Sequence, residues 1–169
     1  MTAIFPSRYT ATSEEPFVVF LIGLRINRLL AFRKWMRVAA AMPAMLAELR
    51  SDPALGLLRV ENFVYWRGGA LAQYWKSFDH LHAYAHARDG AHYPAWAEFN
   101  RLVGSDGSVG IWHETYRVSP GQFECVYANM PRFGLAGAVQ HLPTSGRLQS
   151  ARSRMEQTSE KEPNPDQNL

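Results

Sequence analysis

Cysteine is nearly missing from this chain: Cys125 is the only one in 169 residues. A single thiol closes no disulfide within one chain, which excludes a disulfide-stapled scaffold and suits a reducing compartment. Cys125 stands in the apolar run Phe123-Glu-Cys-Val-Tyr127 and reads as a small buried hydrophobe rather than a catalytic thiol. Long apolar runs are missing too. The longest, Phe17 to Leu24, falls far short of the roughly 20 residues a membrane helix needs. No charged-then-apolar leader opens the chain, so a soluble, cytoplasmic protein without membrane insertion is expected. There is no G-x-G-x-x-G, no P-loop and no nucleophile elbow, so a tightly bound nucleotide cofactor is not expected. Lys and Arg exceed Asp and Glu only by 18 to 15 and do not interleave with aromatics, which speaks against a nucleic-acid partner. No repeat is present. Beyond Phe133 there is no aromatic residue, and from about His141 the chain is rich in Ser, Gln, Arg, Glu and Pro. Residues 137–169 are therefore expected to be a disordered polar tail, because such a segment buries too little apolar surface to offset its ordering entropy. Residues 1–15, mixed in Thr, Ser, Pro and Glu, are expected to be a loose arm.

What is present suffices for one domain over 16–136. Hydrophobic residues make up 47% of the chain and five are Trp, enough for a sizeable core. Phe17-Val-Val-Phe-Leu-Ile-Gly-Leu24 is β-branched and aromatic without alternation, which predicts a strand covered on both faces. Trp35, Val38, Ala39, Met42, Met45, Leu46 and Leu49 fall at offsets of three and four and form the stripe of a helix, which Pro43 should kink or divide. Leu57–Trp66 and Ala70–Lys76 read as two strands joined by a hairpin at Arg67-Gly-Gly69. Ser77 caps a helix carrying Phe78, Leu81 and Ala85, and Pro94 opens another carrying Trp96, Phe99 and Val103. Val109–Val118 is the last main strand. The segment after it, through Met130, supplies a further strand or an arm.

The order strand, helix, strand, strand, helix, strand is that of an α+β ferredoxin-like domain, a split βαβ antiparallel sheet with helices on one face. The bare face then needs a cover. Since the first and last strands are apolar on both sides, a second copy of the chain across a two-fold axis is the economical one.

Two clusters bear on chemistry. His80, His82, His86 and His92 lie close together, and His82 and His86 share a helix face. No Cys or suitably spaced carboxylate completes a metal signature, so no metal is expected. His113 and Glu114 are neighbours on a strand and must point to opposite faces. Facing a cavity under the helices, His113 would serve as a general base, since its pKa lies near neutrality. A satisfied core histidine is the competing reading. Glu114 is expected to bridge to Arg25 or Arg59 across the sheet. Arg25 and Asn27, at the mouth of the first strand, would anchor a carbonyl or anion. Trp66, Tyr74, Trp112 and Tyr116 would offer an aromatic wall to a flat organic substrate.

Val109-Gly-Ile-Trp-His-Glu-Thr-Tyr116, Gly121-Gln-Phe-Glu-Cys-Val-Tyr-Ala-Asn-Met-Pro131 and Phe133-Gly-Leu135 together resemble a family of monooxygenase-like proteins. Ile22-Gly-Leu-Arg-Ile-Asn27, Met42-Pro-Ala-Met-Leu46, Tyr74-Trp-Lys-Ser-Phe78 and Pro94-Ala-Trp96 fit the same pattern. The family belongs to the dimeric α/β-barrel superfamily and includes the fungal fumagillin-pathway monooxygenase. The resemblance implies the barrel fold, a homodimer and an oxidoreductase of secondary metabolism acting on a small hydrophobic molecule. Its mechanism would be substrate-assisted, with His113 as base and Arg25 and Asn27 steadying the oxyanion. The same superfamily also implies two alternatives: a haem enzyme with His92 as axial ligand, and a non-enzymatic binding barrel.

Overall fold

The computed structural model describes residues 3–87 and 92–156, leaving aside the side chains at 41, 42, 44, 45, 92–96 and 98. The chain forms two compact units. One runs from Val18 to Arg117; the other joins the described residues up to Phe17 with those from Val118 onward.

The Val18–Arg117 unit is built on four strands: β2 (Phe17–Ile26), β3 (Leu57–Tyr65), β4 (Gly68–Trp75) and β5 (Val109–Val118). They form an antiparallel sheet in the order β3-β4-β2-β5. The strand β1 (Phe5–Thr12) belongs to the other unit. Three helices accompany the sheet: α1 (Phe32–Ser51), α2 (Phe78–His86) and α3 (His92–Val103). Register puts Val18 opposite Trp75 and Ile22 opposite Leu71 on one side, and Val60 opposite Gln73 on the other flank of β4. On that face Val18, Val60, Leu71 and Trp75 meet Leu46 and Leu49 of α1 and Leu81 of α2 in one buried cluster. Val38 of α1, Phe99 and Val103 of α3 and Val109 of β5 form a second. The expected ferredoxin-like split βαβ arrangement is what the strand order and the one-sided core describe.

Two local expectations need correction. Pro43 does not divide α1, which runs unbroken from Phe32 to Ser51. Val38 before the proline and Leu46 and Leu49 after it are all buried, so packing holds both halves on the sheet against the lost hydrogen bond. The hairpin turn is Trp66-Arg67 rather than the glycine pair, which lies inside β4. A Cβ at Gly68 would run into the carbonyl oxygen of Leu24, so that position must be glycine for β4 to approach β2. Arg67 takes the strained turn conformation instead, at φ 64°. Its guanidinium donates to the carbonyls of Ile26 at 2.9 Å and Asn27 at 2.6 Å, which offsets the strain.

In the other unit, β1 is the central strand between β6 (Tyr127–Met130) and β7 (Gln140–Pro143), followed by α4 (Ala151–Glu156). The expected loose arm over 1–15 thus contains a strand, and the expected disordered tail from 137 contains a strand and a short helix; its remainder, 157–169, lies outside the described residues. The rings of Phe5, Tyr9 and His141 meet here: Tyr9 stacks on His141 at 4.6 Å and Phe5 meets it edge-on at 4.9 Å. His141 Nε2 is buried without a hydrogen-bond partner. Burial, and then the Arg132 guanidinium, push its pKa down. A histidine so held stays neutral while the unfolded chain takes up the proton. Stability should therefore fall as pH drops below about 6.5 and be insensitive to this group above it. Thermal denaturation from pH 7.5 to pH 5 checks it, both values chosen to bracket an ordinary histidine pKa of about 6.5: His141→Phe should flatten the acid-side loss, and parallel curves for the two proteins would contradict it.

Candidate functional site

Between sheet and helices lies a pocket open to solvent, with Asn62 and Val64 exposed on its wall. Ile22 and Leu24 of β2, Asn62 and Val64 of β3, Leu71 of β4, Val38 and Ala39 of α1 and Phe99 of α3 line a cavity of ≈ 240 Å³. At about 30 Å³ each this is the volume of roughly eight waters. Asn62 is the one polar side chain among the described residues that line it. Strand alternation explains its position: Val60, Asn62 and Val64 follow one another on the face of β3 that looks toward the helices. That spacing is legible in the sequence, an amide standing between two valines two positions away.

None of the sequence-predicted site residues whose side chains are described lines this cavity. His113 lies on the helix-side face of β5, its ring 5.7 Å from that of Phe20, and is exposed. Glu114 looks the opposite way, as alternation requires. Arg25 and Asn27 do come together: Arg25 Nε donates to Asn27 Oδ1 at 3.2 Å, and Asn27 Nδ2 donates to the Gly107 carbonyl at 3.1 Å. Phe20 and Asn27 are seven residues apart, about 23 Å along an extended strand. His113 beside Phe20 and the Arg25–Asn27 pair therefore do not share one small ligand, and the expected trio is not assembled.

Trp112 lies on the face turned from the helices. Its indole covers Gly23, where a Cβ would sit 2.7 Å from the ring, and its Nε1 donates to Tyr65 Oη at 3.1 Å. Tyr116 and Tyr74 share that face, whereas Trp66, 83% exposed, is at the hairpin turn. The four aromatics thus form no wall around the cavity. Glu114 accepts from the Tyr116 hydroxyl at 2.5 Å, which raises the phenol's pKa. The expected bridge to Arg59 fails because β3 and β5 are the two outer strands, and Arg59 pairs instead with Glu61 at 2.7 Å. Arg25 has Asn27 as its partner.

An ion pair and a hydrogen bond tie down the helices. Lys34 of α1 reaches Asp106, ahead of β5, at 2.6 Å. With Ser108 also donating, the Asp106 carboxyl is held well below the usual carboxylate range. Tyr84 of α2 donates to Glu48 of α1 at 3.3 Å, and burial followed by that carboxylate pushes the phenol well above its ordinary pKa.

The described lining offers no His, Cys or Met to iron. His92 begins α3, and its side chain lies outside the description. His82 and His86 stack at 4.0 Å, and the described residues contain no group of three or more potential metal ligands.

The fold and the cavity define a ferredoxin-like α/β domain with a small apolar chamber between sheet and helices. The same fold is seen in an aldoxime dehydratase crystallised with butyraldoxime, at a TM-score of 0.62 and 14% identity over 79% of this chain and 40% of that one. A second aldoxime dehydratase gives 0.60 at 11% identity, over 82% and 44% of the two chains. The chain belongs to the monooxygenase af470-like family, whose model matches residues 17–135. It is 32% identical over 143 residues to monooxygenase af470 of Aspergillus fumigatus, a match covering 76% of this chain. The chain spans half the length, 50%, of that curated relative.

Proposed function

We propose that this protein is a monooxygenase-like enzyme that holds one small, apolar, enolisable organic molecule in the cavity under α1 and α3 and works without a nucleotide cofactor. The observation that carries this reading is an apolar chamber with a single amide, Asn62, in its described lining. Apolar walls select the body of the ligand by desolvation, and one amide orients it. Asn62 Nδ2 would donate to the ligand's carbonyl oxygen and stabilise it as an enolate, where negative charge develops. The α-proton leaves to a solvent base at the open mouth, and one proton returns when the peroxide forms. The enolate carbon then bonds to dioxygen. Loss of water turns a CH2 into a C=O: the substrate gives up four electrons, one oxygen atom stays in the product and the other leaves as water.

Oxygen uptake with a panel of enolisable aryl ketones tests this directly. Uptake should match carbonyl formed. Ala39→Trp, which fills the chamber, should abolish turnover, and Asn62→Leu should lower it about 100-fold. No uptake with any member of the panel, or normal turnover by Ala39→Trp, would overturn the reading. The sheet face turned from the helices supports a homodimer as the working form. Trp112 and Tyr116 there remain 37% and 49% exposed, aromatics that a second copy would shield.

A further inference from the structure

One end of the Val18–Arg117 unit carries large apolar side chains and cations side by side. Leu30 is 97% exposed, with Leu29, Phe32 and Met36 of the same stretch also exposed, and the β3–β4 hairpin adds Val64 and Trp66. These segments are tied together. Arg67 of the hairpin bonds the Ile26 and Asn27 carbonyls just ahead of the leucines, and Trp35 Nε1 donates to the Leu29 carbonyl at 3.2 Å. The leucines are thus displayed by a pinned backbone. The charge is of one sign. Between Glu15 and Glu48 the sequence contains no acidic residue but holds Arg25, Arg28, Arg33, Lys34 and Arg37. Asp106 approaches this stretch and is neutralised by Lys34, leaving the four arginines as its cations.

We infer that this end of the molecule docks on the surface of an anionic lipid bilayer. Exposed Leu, Phe and Trp among arginines are what a monotopic interfacial surface requires: the apolar groups enter the acyl boundary while the cations meet lipid phosphates. No described helix is long and apolar enough to cross a membrane. Val64 belongs both to this patch and to the cavity lining. The docked face therefore borders the chamber, and an apolar ligand would pass from lipid to cavity without crossing water; this delivery step alone rests on the function proposed above.

Co-sedimentation of the full chain with vesicles tests the docking without any enzymatic readout. The protein should bind vesicles of phosphatidylcholine with phosphatidylserine, bind phosphatidylcholine alone much less, and be released by salt. The double variant Arg28→Gln/Arg33→Gln should weaken binding about 30-fold, and Leu30→Ser about tenfold or more. Failure to bind the anionic vesicles overturns the inference, as does binding that neither variant changes. A shift in oligomeric state by Leu30→Ser without loss of vesicle binding also overturns it, because the patch would then belong to a protein contact.

Discussion

Trp75→Ala should unfold the Val18–Arg117 unit at temperatures where the native chain is stable. Trp75 is wholly buried, packs beside Tyr84 at 5.8 Å and belongs to the cluster that joins β2, β3 and β4 to α1 and α2. Truncating a buried Trp costs about 3–5 kcal/mol, partly as lost transfer energy and partly as an unfilled cavity. The indole Nε1 also donates to Gln73 Oε1 at 2.9 Å, and Gln73 is itself buried. Stranding that amide adds about 1–3 kcal/mol. Against a total of about 5–15 kcal/mol this is a large fraction, and the melting temperature should fall by more than about 10 °C. Trp66→Ala, at the exposed hairpin turn, should change stability by no more than about 0.5 kcal/mol. Equal melting temperatures for the two variants would show that the core is elsewhere.

The contrast between these two tryptophans marks what the sequence made legible. Elements with local signals were readable. The β-branched run of β2, the 3.6-residue stripe of α1, Ser77 capping α2 and the alternation along β5 all stand in the structure, and Ser77 Oγ does accept from the His80 amide, at 3.3 Å. Their order was enough to fix the split βαβ topology. The sheet β6-β1-β7 was not readable, because β1 pairs with residues more than a hundred positions away and has Pro6 and a bulge near Ser7 that mask its alternation. Nothing in Phe5–Thr12 alone encodes that partner.

The site was less legible than the fold, for a physical reason. Ionisable and aromatic residues attract notice wherever they occur, but strand position decides which space they enter. Alternation correctly separated His113 from Glu114. It could not say how far along β2 the chamber lies, and the chamber turned out to be at Ile22–Leu24 rather than beside Phe20. The side chain that does enter it, Asn62, is polar but uncharged and sits on a strand otherwise read for its valines.

Trp112→Arg should break the proposed homodimer into single chains. The face turned from the helices ends in aromatics that its own chain leaves partly bare, and central aromatic residues commonly supply 2 kcal/mol or more of an interface, about 30-fold in the dissociation constant. A buried guanidinium with no partner would add a desolvation penalty to that loss. Because the Trp112 indole also rests on Gly23 and bonds Tyr65, the substitution acts within the chain as well. Tyr116→Arg, at a position 49% exposed whose hydroxyl donates to Glu114, separates the two effects: it should weaken association with an unchanged melting temperature. Sedimentation velocity across micromolar concentrations reads both. A native protein that sediments as single chains throughout would remove the dimer, and the aromatic face would then have to be covered by something other than a second copy.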